Sequence, residues 1–91
     1  MRKITYDPNK RAKTLKARGI EFKNAAKVFE GPTFTTLDDR FDYGEDRFRT
    51  FGYMEGHLML VVWTPRGKAR HVISMRRCND SEKKKVAHKL G

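Results

Sequence analysis

Two tight turns around one strongly apolar segment constrain this chain most. His57 to Thr64 is apolar almost throughout, bounded by Glu55-Gly56 on one side and Pro65-Arg66-Gly67-Lys68 on the other. Apolar runs of this length between turn residues read as buried strands. The flanking stretches, Arg47 to Tyr53 and Ala69 to about Arg77, are β-branched, aromatic and alternating. Three strands joined by two short turns predict an antiparallel meander, the stable centre of the fold.

The remaining segments arrange themselves around that meander. Lys3 to Tyr6 predicts a short first strand. Asp7 followed by Pro8 predicts an N-capped helix running to about Ala17 and ended by Arg18-Gly19. In that helix only Ala12 and Leu15 are clear core residues. Phe22, Ala25, Ala26 and Phe29 fall at i, i+3, i+4 and i+7, one apolar helical face that Gly31-Pro32 terminates. Thr33 to Leu37 predicts a further strand, and Asp38 to Asp46 a polar, acidic loop. Asn79 and Glu82 form a candidate capping box for a last helix reaching about Leu90. The order is β-α-α-β-β-β-β-α in one domain, residues 1–91. The class is α+β: a small antiparallel sheet with helices on one face and the other face free for binding.

Charge narrows the partner. The formal net charge is +10 over 91 residues. It is uneven: residues 1–30 carry nine Lys or Arg against three Asp or Glu, residues 31–60 three against six, and residues 61–91 nine against two. A basic surface built by the two ends attracts polyanions, and nucleic acid is the expected partner. No segment sets a strong apolar face opposite a basic one, so a membrane partner is not expected. Cys78 is the sole cysteine, which fits a reducing compartment. No signal-peptide core and no membrane-spanning run are present, so a cytoplasmic protein is expected.

Candidate chemistry concentrates on the strands. Regular alternation puts Arg70, Val72, Ser74 and Arg76 on one face of the last strand, opposite Ala69, His71, Ile73 and Met75. Arg77 adjoins the row. Arg47 and Arg49 share a face of their own strand. Guanidinium forks suit phosphate, and the meander could bring the two arginine pairs to one cleft. Glu45, Asp46, His57 and His71 are the acid–base candidates nearby, His57 foremost among the histidines. Trp63 reads as core by default, with stacking on an unpaired base as the alternative. The carboxylates crowd one loop, and the histidines with Cys78 lack zinc spacing, so neither a metal nor another cofactor is expected.

Four segments then resemble a known family, in order and over nearly the whole chain. They are Tyr6-Asp7-Pro8 with Lys10; Gly19-Ile20-Glu21-Phe22 with Ala25-Ala26 and Val28-Phe29; Gly44-Glu45-Asp46-Arg47 with Gly52; and Arg70 to Arg77 followed by Glu82. Together they resemble the BrnT toxins of the RelE/ParE-like group. The resemblance implies a RelE-like ribonuclease fold and a type II toxin–antitoxin pair. It further implies a BrnA-type antitoxin with a ribbon-helix-helix part, through which the complex binds operator DNA.

On this reading the chain is a metal-independent endoribonuclease that arrests growth. Arg76 and Arg47 contact the phosphate with Arg77 as helper, and Glu45 or His57 is the base. Arg70, Lys68, Arg49 and Trp63 are the candidates for holding RNA. Two other classes remain open: a non-enzymatic basic nucleic-acid-binding accessory protein, and a ParE-like toxin acting on DNA gyrase.

Overall fold

A computed structural model describes residues 2–90. Strands β1 (Ile4–Tyr6), β2 (Thr33–Leu37), β3 (Phe48–Met54), β4 (His57–Arg66) and β5 (Ala69–Arg77) form one sheet in the order β1-β5-β4-β3-β2. The meander β3-β4-β5 is antiparallel, and β2 extends it antiparallel at one edge. At the other edge β1 pairs with β5 in parallel, so the sheet is mixed rather than wholly antiparallel. Helix α1 (Pro8–Arg18) and the segment after it carry the chain from β1 at one edge to β2 at the other.

Local chemistry explains the elements. Asp7 caps α1 by accepting from the Asn9 amide at 2.8 Å, with Pro8 at the first helical position. At the β3–β4 turn both Glu55 and Gly56 have positive φ, which matches the right-handed twist of the strands it joins. Helix α3 (Asp80–Val86) opens with a complete capping box. Asn79 accepts from the Glu82 amide, and Glu82 accepts from the Asn79 amide, both at 2.9 Å.

The two sheet faces are covered differently. A 3₁₀ turn at Phe22–Asn24 leads into α2 (Ala25–Glu30), and together they bury Phe22, Ala25 and Val28 against Met59, Val61, Trp63, Val72 and Met75. On the opposite face α3 and the turn after it bring Val86 and Leu90 onto Phe51, Leu58, Leu60 and Cys78. The helices therefore do not all lie on one face. The first two do; the last crosses to the other face and covers only part of it, leaving the rest open.

Helix α1 departs from expectation as well. It buries no residue, and Leu15 is exposed. It is anchored by polar contacts: Arg11 forks onto Glu21 at 2.6 and 2.8 Å, and Arg18 donates to the Met75 carbonyl at 3.1 Å.

Strand β5 contains a bulge. Val62 pairs with Ser74 but Trp63 pairs with Val72, so Ile73 is an extra residue. The alternation reverses there. Arg70 and Val72 face the α2 side; after the bulge Met75 and Arg77 do, while Ser74 and Arg76 face the α3 side.

One close approach sets a sharp prediction. A Cβ on Gly52 would lie 2.8 Å from Val28 Cγ1 and 3.2 Å from the Pro32 carbonyl oxygen. Val28 is fully buried and Pro32 O is backbone, so neither can yield freely. Gly52→Ala is expected to destabilise the fold by about 1–3 kcal/mol through overpacking. Urea unfolding measures this; an unchanged midpoint would show that α2 is not seated tightly on β3.

Candidate nucleic-acid interface

The uncovered part of the α3-side face is a cleft of about 260 Å³. Its floor is Val62, Ile73 and Ser74; its walls carry Arg40, Arg47, Arg49 and Arg76. Strand register explains the convergence. Arg49 pairs with Val62 across β3–β4, and Val62 with Ser74 across β4–β5; one row further, Phe51 pairs with Leu60 and Leu60 with Arg76. Arg47 lies on the same face just before β3.

Each arginine is held differently. Arg76 gives two bonds of 2.7 Å to the Glu82 carboxylate, and Glu82 is fixed by its place in the α3 capping box. Those bonds from Arg76 hold the Glu82 carboxyl at about 2, against its own partial burial. Arg40 forks onto Asp38 at 2.8 and 2.9 Å. Asp38 is buried, and the bonds from Arg40, helped by the Tyr43 hydroxyl, likewise hold its carboxyl at about 2. The Arg47 guanidinium stacks 4.0 Å from the centre of the Tyr43 ring and donates to Glu45 at 3.3 Å. Arg49 has its Nε buried with no hydrogen-bond partner among the described residues, and so does the Thr36 hydroxyl in the same row. A buried donor without an acceptor is costly, and it is the atom a bound anion would satisfy.

Of the residues singled out in the sequence, Arg47, Arg49 and Arg76 share this cleft, with Glu45 at its rim. The others lie elsewhere. His57 is exposed at the β3–β4 turn, five residues along β4 from Val62, so it is not beside the arginines. The bulge turns Arg70 to the opposite face, where it stacks 4.0 Å from the Phe29 ring centre. Arg77 faces that side too, and Lys68 is exposed in the β4–β5 turn. Trp63 is buried, its indole N–H donating to the Thr50 hydroxyl at 2.8 Å, so it offers no face to a base.

Other residues were not anticipated. Asp38, Arg40 and Tyr43 sit in the loop before β3, where no periodicity marks them. Glu82 was visible only as a cap. His71 is the histidine on the cleft side of β5, two residues before Ile73. Its Nδ1 is 2.9 Å from the Thr5 hydroxyl. Burial, and then the nearby Arg66 charge, lower its pKa, partly offset by Glu45. Cys78 is buried, which pushes its thiol up to about 11 and makes it a poor nucleophile.

These features define a small α+β fold with an arginine-rich cleft on an incompletely covered sheet. A family model for the BrnT ribonuclease toxin of type II toxin–antitoxin systems matches residues 6–82. The chain belongs to the BrnT family. That family is one of ribonuclease toxins, which implies RNA as substrate and an antitoxin protein as partner. No curated protein matches the chain. Among the described residues no helix is long and apolar enough to cross a membrane.

Proposed function

We propose that the chain is a cytoplasmic, metal-independent endoribonuclease whose cleft cleaves RNA by internal transesterification. The RNA 2′-oxygen attacks the adjacent phosphorus, the bond to the 5′-oxygen breaks, and the products end in a 2′,3′-cyclic phosphate and a 5′-hydroxyl. Negative charge builds on the non-bridging oxygens as the phosphorane forms. The observation that carries this reading is the convergence of Arg47, Arg49 and Arg76 on one open cleft, with the Arg49 Nε lacking an acceptor. Arg76 arrives already oriented by Glu82, so little reorganisation is needed when the phosphate binds.

Proton transfer needs an acceptor for the 2′-hydroxyl and a donor for the 5′-oxygen. Asp38 and Tyr43 line the cleft but are bonded to Arg40 and to each other, which leaves Glu45, beside Arg47 at the rim, and His71, on the same face of β5, as the candidates. A His71 kept neutral by burial is in the form that accepts a proton. Three of the five loop carboxylates are already engaged: Asp38 by Arg40, Asp42 by the Gly44 amide, Glu45 by Arg47. That engagement supports chemistry by arginine rather than by a divalent ion.

The partner follows from the same charge. An acidic or apolar segment of a BrnA-type antitoxin covers the cleft and silences it, and the antitoxin supplies the DNA-binding part that carries the complex to its operator. Expression of the toxin alone arrests growth.

The test is direct. Purified protein is expected to cleave RNA in excess EDTA, leaving cyclic-phosphate ends, and the co-purified antitoxin to suppress cleavage. Activity that disappears with chelation and returns with magnesium would overturn the metal-free mechanism.

A further inference from the structure

On the α2 side of the sheet, two arginines share one aromatic ring with no carboxylate between them. The Arg70 guanidinium lies 4.0 Å from the Phe29 ring centre and 5.4 Å from that of Trp63; the Arg2 guanidinium lies 5.6 Å over the same Trp63. Cations over aromatic faces are stabilised there, and stacking leaves their in-plane N–H groups free to donate. Arg70 Nε is buried and has no partner among the described residues. Among those residues Arg2, Lys3, Lys68 and Arg70 form no ion pair, although Glu30 borders the same pocket. Burial, and then the Arg2 charge, lower the Arg70 pKa. Two like charges held together without a counter-charge cost free energy, and a bound anion removes that cost.

The place is a built concavity. A pocket of about 330 Å³ opens between Arg2, Arg70 and Phe29, and beside it a groove runs past Arg2, Lys3, Arg66 and Lys68. Arg2 Nε donates to the Lys68 carbonyl at 3.2 Å, closing β1 against the β4–β5 turn. A chain of side-chain contacts links the groove to the cleft around the end of the sheet. Arg66 lies 3.9 Å from Glu45, which in turn contacts Arg47. From Val62 to Arg66 is four residues of β4, roughly 13 Å.

We propose that this end of the sheet is a second phosphate site, separate from the cleft, that takes a backbone phosphodiester of the same RNA strand several nucleotides from the one being cut. The inference rests on the ribonuclease reading for the identity of the strand. Arg70 and Arg2 bind the phosphate, Lys3 and Lys68 flank it, and Arg66 bridges the two sites. The substrate class is then single-stranded RNA long enough to pass over the β4–β5 turn.

Binding of a fluorescent, fully 2′-O-methylated oligonucleotide tests this without cleavage. Arg70→Gln and Arg2→Gln are each expected to weaken binding several-fold, and to reduce the dependence of log affinity on log salt by about 0.7 per lost phosphate contact. Lys84→Gln on α3 removes the same charge and is the control. Arg2 is exposed, so its variant reports even if Arg70→Gln fails to fold. If both variants match the control in affinity and salt slope, the site does not exist. If they lose binding to phosphatidylglycerol vesicles while keeping RNA affinity, the ligand is a lipid headgroup and the proposal falls. A protein that binds in the expected way yet cuts nothing retains this site and loses the ribonuclease reading, so the two failures are distinguishable.

Discussion

Arg76→Ala is expected to cut RNA cleavage by about a hundredfold or more, because an aligned charged donor acts mainly on charge that develops in the transition state. Lysine should restore only part, keeping the charge and losing the planar fork. Read from sequence, Arg76 is a surface residue whose loss leaves folding intact. The structure changes that expectation. Its guanidinium makes two 2.7 Å bonds to Glu82, and truncation strands that carboxylate. For a pair still partly solvated the cost is about 1 kcal/mol, or a melting temperature about 4–8 °C lower. The pH dependence has a definite sign. The Glu82 pKa is lowered from 4.5 to about 2 in the folded state, so its contribution is fully present above 4.5 and is lost as pH falls toward 2. Arg76→Ala removes the principal cause. Parent and variant should therefore differ in melting temperature at neutral pH and converge between pH 4.5 and 2. A folded alanine variant that cleaves RNA like the parent would remove Arg76 from the site; a gap constant across pH would remove Glu82 as its partner.

Trp63→Ala should be the most damaging substitution for stability. The side chain is buried, with Phe48 at 5.2 Å and Phe29 at 5.7 Å between ring centres, and its N–H is bonded to Thr50. Removing it leaves a cavity and costs about 3–5 kcal/mol, a large part of the about 5–15 kcal/mol that holds a domain together. Trp63→Phe fills most of the space and loses the single hydrogen bond, so it should cost about 1 kcal/mol. Urea unfolding of the two variants checks both figures. An RNA-stacking tryptophan would behave otherwise: alanine would leave stability within about 0.5 kcal/mol.

The local features were readable because their causes are local. The meander follows from two turns and three apolar runs, and the caps at Asp7 and Asn79 from residues a few positions apart. Arg47 and Arg49 could be placed together because neighbours two apart on a regular strand share a face. What failed depended on contacts distant in sequence. The parallel pairing of β1 with β5 joins Ile4 to Arg70 and Tyr6 to Val72, and nothing in either segment encodes it. The side taken by α3 is decided by how Cys78 and Val86 pack on Leu58 and Leu60. Helix α1 was assigned core contacts through Ala12 and Leu15, yet its anchors are the polar tips of Arg11 and Arg18. Alternation carried past Ile73 put Arg70 and Val72 on the face of Arg76 and Ile73 on that of Met75, since one unseen extra residue reverses everything on one side of it. Asp38 and Arg40 were missed because a loop has no period to read.

That extra residue also makes β5 a strand with two independent clients. The stretch before Ile73 delivers Arg70 to one surface, and the stretch after it delivers Arg76 to the other, although only six positions separate them. Backbone hydrogen bonds keep both arginines in one rigid ladder, while the sheet itself insulates them. Substitutions on either side can thus drift separately: the surface around Arg70 can be retuned for a different ligand while the geometry at Arg76 stays as it was.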